Sequence, residues 1–143
     1  MPINPRDKGA GGEREIAKEL EVAARVVILR LKLPQPTVAI FQRNQNQSAV
    51  GGSDLNNPYG LSIEVKRQET LAIPEWWRQC VASAEQSNEF PVLVYRQNGK
   101  KWRAYTYGWI PLLNNQFYRA EVEMDWKTFL SWFDKWVEGK LNS

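Results

Sequence analysis

The sequence contains no histidine and a single cysteine among its 143 residues. The absence of histidine excludes serine–histidine and cysteine–histidine catalytic pairs and imidazole zinc sites. The lone Cys80 excludes an internal disulfide and a structural zinc site, and its apolar neighbours favour a buried thiol. Any hydrolytic chemistry must therefore use carboxylates, lysine and a hard cation held by oxygen ligands.

Long hydrophobic runs and an apolar N-terminal segment are also missing, which argues against a membrane span and a secretory signal. The single cysteine fits a reducing cytoplasm, and the small stand-alone domain suits a prokaryotic or phage-infected host cell, so we expect a cytoplasmic protein of such a cell. The net charge of +3 and the pI near 9.1 favour an anionic partner. The length suits one domain, so we expect a flexible arm over residues 1–10 and a single domain over residues 11–143.

The hydrophobic spacing predicts the element order α-β-β-β-α-β-β-α. The predicted helices run from Gly12 to about Leu31, from Ile73 to about Ser87, and from a cap at Asp125 to about Glu138. The predicted strands are Thr37–Phe41, a short Asp54–Leu55, Leu61–Arg67, Pro91–Gln97 and Lys100–Tyr107, the last two joined by a type I′ turn at Asn98-Gly99. This order predicts an α/β fold with a mixed central sheet flanked by helices.

The strand with the sequence LSIEVK, residues 61–66, carries an acid and a base on one face. Side chains alternate along a strand, so Glu64 and Lys66 project together, away from the apolar residues. A lone Glu-x-Lys pair is typical of a solvated face, and a lone Asp54 of a turn. Asp54 lies ten residues before Glu64, however, and a return through the turn at Asn57–Gly60 can bring the two together. Two adjacent carboxylates repel each other unless a divalent cation lies between them.

Glu13 lies on the apolar face of the first predicted helix, whereas Arg14 and Lys18 point away from it. A carboxylate on a buried face is costly unless it has a partner. The alternative is an acid that favours the helix dipole at a frayed first turn. A helix end directed into an acidic metal site explains the position better.

Together these residues resemble the PD-(D/E)XK nuclease superfamily, and most closely the archaeal-type Holliday junction resolvases. The matching segments are Lys8-Gly9, Glu13-Arg14-Glu15, Gly52-Ser53-Asp54 and Ile63-Glu64-Val65-Lys66. Gln79, on the helix behind the active strand, resembles the glutamine of that superfamily. The resemblance covers roughly residues 8–96, depends on order and spacing, and implies a restriction-endonuclease-like αβββαβ core.

Two features depart from the resolvase pattern. Ser53 stands where the usual proline precedes the first aspartate. The first helix also runs longer than the pattern leads us to expect, so Ala24–Pro36 would be an insertion or a dimer element.

The resemblance implies a role for each matching residue. Asp54 and Glu64, with the carbonyl of Val65, would hold one or two Mg²⁺ ions, for which Mn²⁺ can substitute. Lys66 would orient the attacking water or neutralise charge in the transition state. Glu13 would bind a second metal or an ordered metal water. Gln79 would support Lys66 or the nucleophile from behind.

The expected substrate is branched DNA, with a four-way junction cut by phosphodiester hydrolysis in recombination or repair. Contacts would be mostly to phosphate, from the cations Arg6, Lys8, Arg14, Arg43, Arg67, Lys100 and Lys101. A solvated hairpin tip is an equal alternative for the last two. Seven tryptophans exceed what a core of this size needs and, with the resemblance, imply a homodimer in which Trp76, Trp77 and Trp132 are candidate interface residues.

Three other functions compete with junction resolution. The first is another nuclease of the same superfamily that acts on forks, flaps or linear duplex in repair or restriction. The second is a catalytically silent DNA-binding or virion protein on this fold, against which the presence of Asp54, Glu64 and Lys66 argues. The third is a structural protein with coincidental acids, which leaves the position of Glu13 unexplained.

Overall fold

The computed structural model describes residues 5–44 and 53–143, with side chains from Ala10 onward. The described helices are α1 (Pro5–Arg30), α2 (Ile73–Ser87) and α3 (Trp126–Leu141), and a 3₁₀ turn covers Leu113–Asn115. The described strands are β1 (Gln42–Arg43), β2 (Leu55–Asn56), β3 (Leu61–Gln68), β4 (Phe90–Gln97), β5 (Arg103–Pro111) and β6 (Phe117–Asp125). The first six elements thus follow the order αβββαβ, which confirms the predicted core.

The six described strands form one sheet in the order β1-β2-β3-β4-β5-β6. Every neighbouring pair in it is antiparallel except β3 and β4, which are parallel and are connected through α2. A parallel pair needs such a crossover because its second strand must begin at the same end as the first. The predicted α/β fold with a mixed central sheet is confirmed.

The two faces of the sheet are covered by different helices. On one face α1 and α3 bury apolar side chains, including Ile16, Leu20, Phe129 and Phe133, against the apolar side of β3. On the other face α2 packs on β4 and β5. Each large apolar side chain buried in this way stabilises the fold by about 2–3 kcal/mol. The polar side of β3 therefore faces the α2 layer.

Both tryptophans of α2 are buried, which corrects the expectation that Trp76 and Trp77 are candidate interface residues. Trp76 lies 6.3 Å from the ring of Tyr95, and Trp77 lies 5.0 Å from the ring of Tyr107. The two side chains diverge by one helical step, and their length lets each reach a different strand of the same sheet. Trp132 is half-buried on the opposite side of the sheet, against the core formed by α1, α3 and β3. The first two are therefore not available as interface residues.

The predicted strand over residues 37–41 is wrong, because the strand begins only at Gln42. Side chains of α1 form hydrogen bonds with the backbone of this segment instead. The Glu21 carboxylate accepts hydrogen bonds from Ile40 N at 2.8 Å and Phe41 N at 2.9 Å. The Arg25 guanidinium donates to the carbonyls of Pro36 and Val38 at 3.1 Å. Backbone groups that are bonded in this way are not available to a sheet ladder.

The β4–β5 connection and the C-terminal strand also differ from the predictions. Lys100 N donates to Gln97 O at 2.9 Å, and only Gly99 of the central pair has positive φ. The turn is therefore not type I′, which needs positive φ at Asn98 as well. Strand β6 was missed by the prediction, although its polar and apolar residues alternate.

The ends of the helices agree with the sequence for α2 and at the start of α3, but not at the start of α1. Helix α1 begins at Pro5, seven residues before the predicted Gly12. Asp125 caps α3 as predicted, since its side chain accepts a hydrogen bond from Thr128 N at 2.7 Å. Among the helices that the structure describes, none is long and apolar enough to cross a membrane.

Candidate active site

Strand β3 places an acid and a base on the α2 side of the sheet. Leu61, Ile63 and Val65 pack into the core beneath α1 and α3. Glu64 and Lys66 project to the opposite face, as the alternation of a strand requires. Lys66 lies close enough to Glu64 to lower the pKa of that carboxyl group, although other influences outweigh it.

Asp54 is brought to β3 by the short antiparallel strand β2, whose Leu55 is paired with Ile63. Asp54 N donates to Ile63 O at 2.8 Å, and Val65 N donates to Asp54 Oδ2 at 2.7 Å. These two bonds fix both the backbone and the carboxylate of Asp54, which is buried. The predicted return through the loop thus places Asp54 beside Glu64.

The return itself is organised by Asn57, which lies in the turn between β2 and β3. Its side-chain oxygen accepts a hydrogen bond from Tyr59 N at 3.0 Å, and its amide donates to Leu61 O at 2.8 Å. Asparagine side chains often stabilise turns by bonding the nearby backbone in this way. Gly60 completes the turn with a φ of +76°, a conformation that favours glycine.

Glu64 is the most perturbed acid of the site. Burial, and then the neighbouring Asp54 carboxylate, raise the pKa of Glu64 from 4.5 to about 8. Glu13 raises the pKa of Glu64 further, although it contributes least of these. Perturbed acids of this kind occur preferentially at functional sites, because burial and like charges make an ion-binding or proton-handling centre. The carboxylate pair therefore favours either a shared proton or a bound cation.

Glu13 reaches the same site from α1. The helix approaches β3 closely at Gly12, where an added Cβ would lie 3.3 Å from the Trp102 ring and 3.7 Å from Val65. Burial, and then Asp54, raise the pKa of Glu13. Glu13 Oε1 also lies 3.4 Å from Arg43 Nε. The structure thus brings Glu13 into the electrostatic field of the pair, where an arginine partly neutralises it.

A contact that the sequence did not reveal holds this end of α1 in place. Trp102 Nε1 donates to Glu15 Oε1 at 3.0 Å, and the same oxygen lies 3.7 Å from an Arg96 nitrogen. The Arg96 guanidinium lies 5.5 Å from the centre of the Trp102 ring. Two acids of α1, Glu13 and Glu15, thus have separate partners. Residues two positions apart on a helix point in different directions, which could have suggested separate partners but not their identity.

Gln79 is not held in the site by a described side-chain contact. It is exposed on α2, beside the buried Cys80, whose thiol donates to Ser62 O at 3.8 Å. Burial, and then Glu64, raise the pKa of the Cys80 thiol well above its usual range. Cys80 is therefore an unreactive thiol in the floor of the α2 layer, as its apolar neighbours in the sequence predicted.

The predicted phosphate-binding cations are placed differently from one another. Arg14, Lys100 and Lys101 are exposed and make no ion pair within the described ranges, Arg67 is half-buried, and Arg43 is paired with Glu13. The side chains of Arg6 and Lys8 lie outside what the structure describes. Because β3 and β4 are parallel, their C-terminal ends meet at one edge of the sheet. The β4–β5 turn, which carries Lys100 and Lys101, therefore lies at the edge of the sheet where β3 ends.

The donor set of the site fits a hard divalent cation. No group of three His, Cys, Asp or Glu side chains that could hold a metal ion is found in residues 5–44 and 53–143. Mg²⁺, however, is usually bound by only one or two carboxylates together with waters. Asp54 and Glu64 supply these, and the Val65 carbonyl could add a backbone oxygen. All of these donors are oxygen atoms, as Mg²⁺ and Mn²⁺ prefer.

Comparison with known proteins identifies a family and one similar solved structure. Residues 4–137 match the family described as "Phage putative PDDEXK endonuclease". One solved structure similar to this chain is that of Hjc, a Holliday junction resolvase from Archaeoglobus fulgidus, an archaeal hyperthermophile. It is 17% identical, the alignment covers 87% of this chain and 96% of that one, and the TM-score is 0.48. No curated protein sequence matches significantly.

The family match covers residues 4–137, which is most of the chain. The chain belongs to the family of phage PD-(D/E)XK endonucleases. The resemblance to this superfamily noted from the sequence is thereby confirmed.

Proposed function

We propose that this protein is a Mg²⁺-dependent endodeoxyribonuclease that cuts branched DNA, with a four-way junction as its preferred substrate. The observation that carries the proposal is the close pair formed by the buried Asp54 and the half-buried Glu64 beside Lys66. Burial, and then Asp54, raise the pKa of Glu64 to about 8. Two carboxylates in this state are stabilised by a cation that replaces the shared proton.

Each residue of the proposed site has a distinct part in the reaction. Asp54, fixed by the Val65 amide, and Glu64 would hold Mg²⁺ together with the Val65 carbonyl. A bound divalent ion would polarise the phosphate and lower the pKa of an attacking water. Lys66 would orient that water or neutralise charge on the phosphate.

Glu13 and Gln79 would act around this pair. Glu13 would hold a second ion or an ordered water, after releasing Arg43 to a phosphate. Both steps are compatible with the 3.4 Å separation of Glu13 and Arg43, which is longer than a strong charge-assisted hydrogen bond. Gln79 would reach the site only when substrate orders its exposed side chain.

The substrate would be bound by its backbone. Arg14, Lys100 and Lys101 are exposed and have no described ion-pair partner, so they can meet phosphates without breaking an internal contact. Arg6, Lys8, Arg43 and Arg67 would extend this surface. The order of motifs shared with archaeal-type resolvases supports a junction, and a homodimer would present two active sites to its two scissile strands.

The test is cleavage of a four-way junction, a fork and a linear duplex of the same sequence, each with Mg²⁺, Mn²⁺ or EDTA. We expect cleavage only with metal, fastest on the junction, and several orders of magnitude slower for Asp54→Asn and Glu64→Gln. Glu85→Gln, in an exposed acid of α2, is the matched control and should retain activity. Full activity in EDTA, or in both site variants, would refute a metal-dependent nuclease. Equal rates on all three substrates would favour a fork, flap or restriction nuclease instead.

A catalytically silent DNA-binding protein on this fold is the second candidate. It predicts salt-sensitive junction binding without cleavage under any metal. Binding by the wild type with no product, and unchanged binding by Asp54→Asn, would favour it.

A further inference from the structure

A cleft of about 570 Å³ opens at the end of the sheet, between the β4–β5 turn and the start of α3. We call it the end cleft. It is lined by Leu71, by residues between Tyr95 and Arg103, and by residues between Glu123 and Lys127. Clefts that bind small molecules usually measure about 300–1,000 Å³. The end cleft therefore has the size of a small-molecule site, whereas a DNA duplex is far too wide to enter it.

The floor and one wall of the end cleft are apolar. Tyr95 and Trp102 form the floor and are almost completely buried. Trp126 is half-buried, and the large apolar side chain of Leu71 is 39% exposed. The indole N–H groups of Trp102 and Trp126 donate to glutamates of α1 at 3.0 and 3.1 Å, which fixes both rings. A rigid site lined by aromatic and apolar side chains suits a flat, largely apolar group.

The rim of the end cleft is cationic. Four cations and two acids line it: Lys100, Lys101, Arg103 and Lys127, with Glu123 and Asp125. Glu123 already accepts hydrogen bonds from the Tyr95 hydroxyl and from Arg103 Nε. Asp125 accepts one from Thr128 N. The three lysines make no ion pair with residues 5–44 or 53–143. The end cleft thus has an excess of two positive charges, which attracts an anion.

We propose that the end cleft binds one unpaired nucleotide of a DNA strand, with its base against the apolar floor and its phosphates at the lysines. A nucleotide within a strand is flanked by two phosphates, each of which carries one negative charge. This charge matches the excess of two positive charges at the rim. Stacking against aromatic side chains accepts any of the bases, because each base has a π face.

The end cleft lies beside the proposed active site. Lys66 is paired with Tyr95 on the adjacent strand, and Tyr95 is paired with Arg103 on the next. Neighbouring strands are about 4.8 Å apart, so the backbone of Arg103 lies within about 10 Å of that of Lys66. Successive nucleotides of one strand rise by about 3.4 Å along a duplex. The nucleotide in the cleft is therefore only a few positions from a phosphate held at Asp54 and Glu64.

This inference rests on the proposed function for its DNA context and adds a substrate requirement to it. A base leaves its stack at least cost where it is already unpaired. Branched DNA offers such bases at its branch point, whereas a continuous duplex offers none. The end cleft thus gives the protein a means of selecting branched DNA that does not depend on reading base edges in a groove.

Titration of the full chain with dAMP in EDTA, followed by the indole N–H signals in proton–nitrogen NMR spectra, tests the proposal. The seven tryptophans make this readout local, and tryptophan-to-phenylalanine variants assign the signals. We expect saturable shifts of the Trp102 and Trp126 signals, while the other indole signals stay in place. Deoxyadenosine and deoxyribose 5-phosphate each carry only part of the nucleotide and should bind about tenfold more weakly.

The variant Lys101→Gln/Lys127→Gln should weaken dAMP binding by about tenfold, because it removes two charges from the rim. The matched control Lys32→Gln/Lys135→Gln removes two exposed lysines outside the end cleft and should bind like the wild type. The proposal is overturned if millimolar dAMP leaves both indole signals in place, or if the cleft variant binds like the wild type. It is also overturned if deoxyribose 5-phosphate binds as tightly as dAMP, since the cleft would then be a plain phosphate site.

The titration requires neither metal nor cleavage, so its outcome is separate from that of the proposed function. Nucleotide binding by a protein that cuts no DNA would contradict the proposed nuclease and leave the end cleft assigned. An active nuclease whose indole signals do not respond to dAMP would do the reverse.

Discussion

Replacing Glu64 by glutamine should make the folded protein more stable at alkaline pH while it abolishes cleavage. Glutamine keeps the shape of the side chain and can donate a hydrogen bond to Asp54, but it carries no charge to repel that carboxylate. The pKa of Glu64 is raised from 4.5 to about 8, by burial first and by Asp54 second. The folded protein therefore holds a proton that the unfolded chain has released.

The direction of the pH dependence follows from this difference. The stabilisation is fully present below about pH 4.5, the unfolded value, and is lost as the pH rises to about 8. At about 1.4 kcal/mol per pKa unit the full span corresponds to about 5 kcal/mol. Partial solvent access to Glu64 screens this to about 2 kcal/mol. For a domain of this size the loss corresponds to a melting temperature lower by about 7 °C.

The assay is thermal unfolding of the wild type and Glu64→Gln between about pH 5 and pH 9 in EDTA. The absence of histidine makes this window informative, since few other groups titrate in it. Subtraction of the variant removes the contribution of the α-amino group, which is common to both proteins. Mg²⁺ should restore the stability of the wild type at alkaline pH and leave the variant unchanged. Parallel curves for the two proteins would refute the reasoning.

Three further predictions concern α1 and α3. Glu13→Gln should lower the cleavage rate strongly, and added Mn²⁺ should recover part of that rate. The control Glu15→Gln can still accept the Trp102 hydrogen bond and should cleave like the wild type. Equal small effects of the two substitutions on the cleavage rate would remove Glu13 from the site. Glu21→Gln should lower the free energy of unfolding by about 1–3 kcal/mol, since it weakens charge-assisted bonds to two backbone amides; chemical denaturation measures this, and no change would contradict the role of Glu21. Asp125→Ala should lower it by about 1 kcal/mol through loss of the α3 cap, and Asp125→Ser should recover most of that loss.

The sequence predicted the polar face of β3 and the return of Asp54 because both depend on local rules. Alternation along a strand and the turn residues Asn57–Gly60 leave few other geometries. The first helix was likewise visible from its spacing, and Asp125 from its position before the last helix. These elements are ones in which local preference and tertiary structure agree.

The errors arise where side chains distant in the sequence decide the backbone. Residues 37–41 have a composition typical of a strand, but Glu21 and Arg25 occupy their backbone groups. The pairing of Glu13 with Arg43 likewise joins residues thirty positions apart. No periodicity reports such contacts. The sequence of β6, in contrast, alternates clearly between polar and apolar residues, a pattern that is typical of a strand and could have predicted it.

The packing of α3 beneath the sheet has a consequence for the order of events during synthesis. Phe129, Phe133 and Val137 are completely buried in the same core as Leu61 and Ile63. All of the carboxylates of the site leave the ribosome well before this helix does. A nascent chain that stops before Trp126 thus contains every acid of the site but lacks one wall of the core that supports β3. Cleaving activity should therefore arise only when the last helix has been released, so that incomplete chains are harmless to the DNA around them.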